Sequence, residues 1–394
     1  MELLFWILLA LIIYTYIGYG IIVGLIVKLW GLNKKDYSAP QTYPPVTLFI
    51  AAYNEKDFIN LKVKNSFELD YPKDKLTQLW ITDGSDDGTP DLLKKYENIK
   101  VYHEDKRSGK TAAINRGLQF VNTSIIIFCD GNTLLSKETI KAVVKAFEDP
   151  KVGCVAGEKR IIEQDSESAS GSGEGAYWKY ESILKKLDSA LYSAVGGVGE
   201  LFAIRKELFE EVDNESILDD FEITMRIAMK GYKIKYVPEA TASETPSDNV
   251  KEELKRKIRI AAGGYQVMRR MPELFNPFKQ GILSFQFWSR KVLRWIGVPL
   301  AMLIIFPLNL YLAYKYNFKI DNTYTIFFIL QSLFYLLVII GKLLSNINIK
   351  FKAIFLPYYI FIMNYAAILG GIRYFKGNQS ATWERAKRAK LNSQ

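Results

Sequence analysis

The densest chemistry in the chain lies in Ile81-Thr82-Asp83-Gly84-Ser85-Asp86-Asp87-Gly88-Thr89. Apolar Leu79, Trp80 and Ile81 run into carboxylates, glycines and hydroxyls, and Pro90 then opens a helix. The pattern predicts a strand ending in a sharp turn at the carboxyl edge of a parallel sheet, the edge where open α/β sheets bind ligands. Gly84 and Gly88 permit close backbone approach, and the carboxylates can accept hydrogen bonds from ribose or base donors. As an isolated feature the stretch reads equally well as an acidic surface turn. Two further carboxylate sites follow. The apolar run Ile125 to Cys129 delivers Asp130-Gly131-Asn132, and Leu218-Asp219-Asp220 enters another helix. Asp83, Asp130 and Asp220 therefore read as three acidic strand ends pointing the same way. Such carboxylates suit a divalent cation, Mg2+ or Mn2+, bridging a diphosphate. Arg107 and Lys110, in Lys106-Arg107-Ser108-Gly109-Lys110 at a helix start, would face the same diphosphate with the helix dipole assisting. Without a ligand these cations are a solvated basic face. A phosphate-cradling lysine loop and a dinucleotide glycine fingerprint are both absent from the sequence.

The elements that must position these groups alternate. Val46 to Ala52 reads as a first buried strand, ending in Tyr53-Asn54-Glu55. A helix end and a Tyr71-Pro72 loop precede the second strand, Leu79 to Asp83, and Lys100-Val101-Tyr102 makes a short third. Helices over Pro90 to Tyr96 and Thr111 to Phe120 separate them, so the spacing predicts a parallel, doubly wound sheet. Beyond Cys154 the pattern loosens. A Ser/Gly/Glu-rich loop spans Ser166 to Gly175, and a helix from Ala176 to Ala190 carries Tyr177, Trp178 and Tyr180 near its start. A glycine cluster from Val195 to Arg205 contains Gly199 and Glu200, and a basic helix from Val250 to Met271 contains Arg256 and Arg259. Tyr177 and Trp178 read either as core or membrane-interface aromatics or as faces on which a sugar stacks.

Composition joins a soluble domain to membrane spans: 49% of the 394 residues are hydrophobic and 14% aromatic, yet 24% are charged. Met1 to Leu29 is nearly uncharged and long enough to cross a bilayer. It has no basic leading segment and no small-residue cleavage site, which argues against a removed signal peptide. Ile296 to Tyr314 and Thr323 to Leu344 read as further spans, and Ala353 to Ile372, interrupted by Pro357, as a weaker one. Lys28, Lys34 and Lys35 after the first span, with Arg290, Lys291 and Arg294 before the second, predict a cytoplasmic polar region in an integral membrane protein. The net charge of +10 is assigned to membrane lipids, with no nucleic acid expected as a partner. The expected division is an N-terminal span at 1–30, a catalytic domain at 40–271 and an aromatic, basic interfacial segment at 272–295. Spans at 296–372 and a basic tail at 373–394 complete it. Arg385, Lys387, Arg388 and Lys390 in that tail would face lipid headgroups, although three spans after the domain place it outside, against its charge. Cys129 and Cys154, each in an apolar run, are expected to be buried reduced thiols. The single histidine, His103, leaves little room for a histidine-based triad or metal site.

In their order and spacing several motifs together resemble glycosyltransferase family 2, in the membrane-integrated branch that includes hyaluronan, chitin-oligosaccharide and cellulose synthases. They are Ala52-Tyr53-Asn54-Glu55, the Asp83 turn, Arg107-Ser108-Gly109-Lys110 with Asn115, Asp130-Gly131-Asn132, Leu218-Asp219-Asp220, and the stretch from Trp288 to Trp295. The resemblance implies an α/β, GT-A-like domain with a mostly parallel sheet. It also implies an inverting transferase in a bacterial or archaeal plasma membrane, using a nucleotide-diphosphate sugar, a UDP-sugar, and a glycan or lipid-linked acceptor. Nucleotide binding would fall to Ala52, Tyr53, Glu55, Asp83, Arg107, Lys110 and Asp130, with Tyr53 and Glu55 at the base and ribose and Asp83 at uracil. Asp130 would ligate the metal, with Asn132 replacing the last carboxylate of the usual Asp-x-Asp. Asp220 would be the general base and Asp219 would stand where the family has glutamate. Alone, the Asp219-Asp220 pair reads as a helix cap. Acceptor contacts would come from Arg256, Arg259, Tyr177, Trp178, Gly199 and Glu200.

One departure concerns product length. Processive synthases carry Gln-x-x-Arg-Trp where this chain has Arg256-Lys257-Ile258-Arg259-Ile260. The arginine is kept but the glutamine and tryptophan are not, which implies short products or single additions. Three alternatives stand beside the main reading: a single-addition transferase acting on a polyprenyl-phosphate or lipid acceptor, a nucleotidyltransferase making the activated sugar, and a silent scaffold for a secretion complex.

Overall fold

The computed structural model describes residues 1–32, 42–162, 169–245, 250–344 and 355–377. Lys34, Lys35, residues 166–168 and the tail cations Arg385, Lys387, Arg388 and Lys390 lie outside the described residues. Helix α1 (Glu2–Leu29) precedes β1 (Val46–Ala52), α2 (Lys56–Phe67), β2 (Leu76–Asp83), the short α3 (Thr89–Leu93) and β3 (Lys100–Glu104). There follow α4 (Lys110–Leu118), β4 (Ile125–Asp130), β5 (Leu134–Leu135), α5 (Thr139–Ala146) and β6 (Val152–Ile161). The second half holds α6 (Ala169–Leu191), β7 (Leu201–Arg205), α7 (Asp219–Met229), β8 (Lys233–Glu244) and α8 (Val250–Arg270). Three long apolar helices close the chain: α9 (Ile282–Lys315), α10 (Thr323–Leu344) and α11 (Phe355–Phe375).

The eight strands form one sheet in the order β3-β2-β1-β4-β7-β6-β8-β5. The first four run parallel, with Ala52 beside Thr82 and Ala51 beside Asp130. The carboxyl ends that carry Tyr53, Asp83 and Asp130 thus share one edge. The chain builds outward from β1 through β2 and β3, then returns to β4 on β1's other side, leaving a crevice at that edge. Continuous apolar runs in β1 and β4 match strands covered on both faces. One layer buries Phe49, Ile81, Phe128, Phe202 and Phe221, the other Leu48, Ile50, Trp80, Ile127 and Val155. The sheet becomes mixed beyond β4, because β7 runs antiparallel and pairs Leu201 with Cys129. That reversal brings Gly199 and Glu200, just before β7, beside Asp130.

The structure departs from the sequence expectations in four places. Asp219 and Asp220 do not end a strand; they open α7, where backbone N–H groups and the helix dipole favour acids. Helix α6 begins at Ala169 and not at Ala176, so most of the expected Ser/Gly/Glu loop is helical backbone. The aromatic, basic stretch does not simply lie along the membrane: Leu283, Phe287 and Val292 join the core beside Phe221 and Val267. Finally, Pro357 does not interrupt α11, because it falls in the first turn, where its missing N–H has no partner to lose.

The membrane helices and the sheet domain are tied by buried charge. Arg290 on α9 donates to Glu181 at 2.5 Å and to Asp188 at 2.7 Å, both on α6. Arg294 also reaches Glu181, at 2.8 Å, and Tyr19 on α1 donates to Asp188 at 2.5 Å. Arg290, Glu181 and Asp188 are all buried, and cations expected to meet headgroups are instead turned inward onto carboxylates. On the other side, α11 lies against α8 so closely that a Cβ on Gly370 would come 2.5 Å from that of Ala261.

Candidate active site

Two tight turns meet at the carboxyl edge. Gly84 has φ +65°, and a Cβ there would lie 2.4 Å from the Cβ of Arg107, so only glycine lets the two loops touch. Oδ2 of Asp83 accepts from the backbone N–H groups of Ser108 and Gly109 at 2.8 and 2.7 Å. Its other oxygen faces Arg116 at 3.4 Å, a partner that the sequence did not flag. Asp86 and Asp87 take the Asn54 side chain and the Lys56 N–H, so part of the acidic run pins the neighbouring turn. The Arg107 guanidinium stacks 3.9 Å over the Tyr53 ring. Ala52, Tyr53, Asp83, Arg107 and Lys110 line one small cleft. Glu55 is buried beside it and its N–H donates to Thr89.

Beside this cleft lies the acidic cluster. Lys110 donates to Asp130 at 2.7 Å and sits 3.9 Å from Asp219. It also donates to the Gly199 carbonyl at 3.4 Å. The Asp220 carboxylate rests against Gly199, whose Cβ position is 3.6 Å from Oδ2. Thr224 on α7 accepts from Gly197 N–H at 2.8 Å, which fixes the glycine cluster against the helix. Asn115 donates to the Val212 carbonyl at 2.6 Å and anchors the loop that leads to Asp219. Burial, then repulsion from Asp219, pushes the Asp220 carboxyl up to about 7, with Lys110 acting the other way. Burial likewise raises Asp130, against the pull of Lys110. Lys110 is held well above its usual range because Asp130 and Asp219 outweigh its desolvation. Oδ2 of Asp219 is buried and has no hydrogen-bond partner among the described residues.

Among the described residues no three acidic, histidine or cysteine side chains are grouped as a ready-made metal cage. The orphaned Asp219 oxygen and the charge-strained Asp130 nevertheless fit a hard cation that takes one or two protein carboxylates and completes its shell from a diphosphate. Asn132 lines the same space as Asp130.

The cluster opens into a cavity of about 1330 Å³, larger than the roughly 300–1,000 Å³ typical of a site for one small ligand. Glu200, Tyr177, Trp178, Arg256, Arg259 and Ile260 all line it. The residues proposed for nucleotide and for acceptor therefore fall into adjoining spaces, with Lys110 and Arg107 bordering both. Arg256 is engaged by Glu253 at 3.0 Å and lies 3.8 Å from Glu200. Lys159, fully buried, pairs with Glu200 and Glu244; in the sequence it is one of two adjacent cations near the end of β6. Cys129 and Cys154 are free and buried, and Lys62 donates to Cys129 Sγ behind the Asp130 turn.

Sequence reasoning also missed Lys185, and it gave Lys291 a different place. Both line the cavity. Lys185 lies 5.2 Å from the Trp178 ring, and Lys291 5.1 and 5.4 Å from the rings of Phe221 and Trp295. Burial lowers the pKa of Lys185. Ring contacts worth about 0.5–2 kcal/mol do not offset the several kcal/mol that burying an ammonium costs.

A mostly parallel sheet with a cleft at its carboxyl edge, next to a carboxylate and lysine cluster, defines a GT-A-like nucleotide-sugar transferase, here joined to membrane helices. Residues 47–213 match the model of glycosyl transferase family 2. This chain carries a family 2 glycosyltransferase domain. It is similar to Poly-beta-1,6-N-acetyl-D-glucosamine synthase of Staphylococcus aureus, 27% identical over 288 residues that span 68% of each chain. It is also similar to the probable glycosyltransferase YdaM of Bacillus subtilis, 26% identical over 72% of this chain and 69% of that one. The mannosyltransferase PcManGT from Pyrobaculum calidifontis, solved with GDP-Man and Mn2+, shares the fold. Its TM-score is 0.68 at 21% identity, over 95% of this chain and all of that one.

Proposed function

We propose that the protein is an inverting transferase that moves a hexosyl or N-acetylhexosaminyl group from a UDP-sugar to a hydroxyl of a glycan or lipid-linked acceptor. The observation that carries this is the gathering of Lys110, Asp130, Asp219 and Asp220 between the Tyr53–Arg107 cleft and the large cavity. The uracil ring stacks at Tyr53, and Arg107 and Lys110 take up charge on the diphosphate. Asp220, at the cavity side, removes the acceptor proton as the hydroxyl attacks the anomeric carbon from the face opposite the diphosphate. A carboxyl held near 7 suits that task, because it is both available as a base and strong enough to accept the proton. Asp130 and Asp219 would hold a divalent cation, Mg2+ or Mn2+, which would supply charge neutralisation for a departing nucleoside diphosphate. Lys110 keeps Asp130 aimed at that position.

The glycan side of the reading rests on the similarity to a synthase of a poly-N-acetylglucosamine. The spans would place residues 40–271 on the cytoplasmic face, where nucleotide sugars are made, with 272–295 as the joint to the membrane and 373–394 as a basic tail. The end of α11 packs on α8 of the catalytic domain at Gly370, which supports a reading in which α11 does not complete a third crossing after that domain, in keeping with the charge of the tail. Incubating the detergent-purified chain with a panel of nucleotide sugars and measuring nucleoside diphosphate release tests the reading. Free diphosphate as the product would point to a nucleotidyltransferase instead.

A further inference from the structure

The cavity changes character along its length. Near Asp220 it is polar. Farther away it is bounded by Leu9, Ile12, Ile305, Phe334 and Met363 from four membrane helices. Polar side chains in that half have partners within the protein: Asn364 donates to the Tyr16 hydroxyl at 2.7 Å, and the Gln331 amide meets that of Asn309 at 3.2 Å. Ile17, Leu330 and Leu356, also in the lining, are about half exposed. The apolar half is thus open to the bilayer and offers few free hydrogen-bonding groups to a passing sugar chain.

Lys185, Arg290 and Lys291 line the same cavity, the latter two just ahead of the apolar stretch of α9. No carboxylate lies within ion-pair distance of either lysine among the described residues. Arg290 is 4% exposed, and its Nη1 has no hydrogen-bond partner among the described residues although its other nitrogens reach Glu181 and Asp188. A phosphate carries between one and two negative charges and three acceptor oxygens, which answers these three groups together. A neutral glycan can accept their hydrogen bonds but cannot balance their charge. Tyr177 and Trp178 line the same cavity as the carboxylates, and the Trp178 ring lies 5.2 Å from Lys185.

We propose that the cavity is an acceptor site for a long-chain lipid that bears a sugar through a phosphate or diphosphate. The apolar chain enters from the bilayer between α1, α10 and α11, and the phosphate rests on Lys185, Arg290 and Lys291. The sugar stacks at Tyr177 and Trp178 with a hydroxyl toward Asp220. In the transfer, that O–H proton passes to Asp220 and a new bond forms from its oxygen to the donor's anomeric carbon. The donor's bond to the diphosphate breaks, and nucleoside diphosphate leaves with the electron pair. This assignment rests on the transferase reading above and names its acceptor class.

The test titrates the full-length chain in detergent with a long-chain polyprenyl monophosphate, the matching polyprenol, and inorganic phosphate, reading tryptophan fluorescence, since Trp178 and Trp295 flank the two lysines. Saturable quenching by the lipid phosphate is expected at concentrations at least tenfold lower than for either the alcohol or inorganic phosphate. The double variant Lys185→Gln/Lys291→Gln should weaken it at least tenfold, and Lys185→Arg/Lys291→Arg should restore it to within about threefold. Equal binding of the alcohol, equal competition by inorganic phosphate, or a folded glutamine variant that binds as before overturns the proposal. If the glutamine variant fails to fold, the alcohol-against-phosphate comparison on the unaltered chain decides alone. Nucleotide-sugar binding to the same preparation is measured separately, so loss of the transferase reading and loss of the lipid site give different results.

Discussion

Replacing Asp220 with asparagine isolates one function of the acidic cluster. The amide keeps the size of the side chain, and Gly199 leaves the same room beside it, so the packing at the start of α7 is preserved. What disappears is a group that titrates near 7 and can take a proton. General-base catalysis contributes on the order of 10²–10⁴-fold, and at 1.36 kcal/mol per decade that is about 3–5 kcal/mol of barrier. Turnover should fall by that factor while nucleotide-sugar affinity stays within about threefold, because removing one negative charge near a diphosphate does not weaken its binding. The pH profile gives a second reading. In the unaltered enzyme activity should rise with pH through about 7 as Asp220 loses its proton, and in the variant that limb should vanish. A carboxyl raised above its unfolded value binds more protons in the folded state, so it costs stability as pH rises from about 4 towards 7. Asp220→Asn should therefore melt at or above the unaltered protein at pH 8. The assays are nucleoside diphosphate release, donor titration by calorimetry, and melting in detergent. If binding falls as steeply as turnover, or the pH limb survives, Asp220 is not the base.

Other outcomes follow from the same geometry. Asp130→Ala should abolish turnover and weaken nucleotide binding in the presence of Mg2+ or Mn2+, and excess chelator should silence the unaltered enzyme; full activity in chelator refutes a cation role. Gly84→Ala forces a Cβ onto Arg107 at positive φ, so a loss of about 1–3 kcal/mol and a raised KM for the donor should appear together in melting and kinetics. Arg290→Met leaves Glu181 with Arg294 alone and Asp188 without a cation and should cost about 3–5 kcal/mol; a melting shift equivalent to less than 1 kcal/mol would show that the pair is water-exposed. Sized radiolabelled product should be short and extract into organic solvent with its lipid, whereas early high-molecular-weight glycan beside untouched acceptor would show processive synthesis.

The parallel half of the fold was legible because each strand there is a short apolar run that stops at a carboxylate, a period the eye can follow from Val46 to Asp130. The site was legible for the same reason: local motifs end up together when their strands are neighbours. What stayed hidden depends on reversal and on distance. Nothing near Leu201 announces that β7 runs antiparallel, so the closeness of Glu200 to Asp130 could not be read. Leu218-Asp219-Asp220 reads in the sequence both as a strand end and as the entry to a helix, and only the helix holds, reached by a loop that Asn115 anchors. Arg290 and Lys291 looked like membrane-flanking charge, since the positive-inside pattern counts cations without seeing the acids on α6 that turn Arg290 inward. Lys185, one cation among several on a helical face, carried no signal at all.

The buried link of Tyr19, Asp188 and Arg290 also constrains how the chain is made. Asp188 lies 169 residues after Tyr19, and Arg290 a further 102 after that. At 5–20 residues per second on a ribosome, α1 waits on the order of tens of seconds for the segments that complete its packing. During that interval the nascent α6 carries two acids without their arginine, and only synthesis of α9 supplies it. A fragment that ends before α9 therefore emerges with Glu181 and Asp188 uncompensated, and trimming this protein to its catalytic domain for soluble production removes the very cations on which that domain closes.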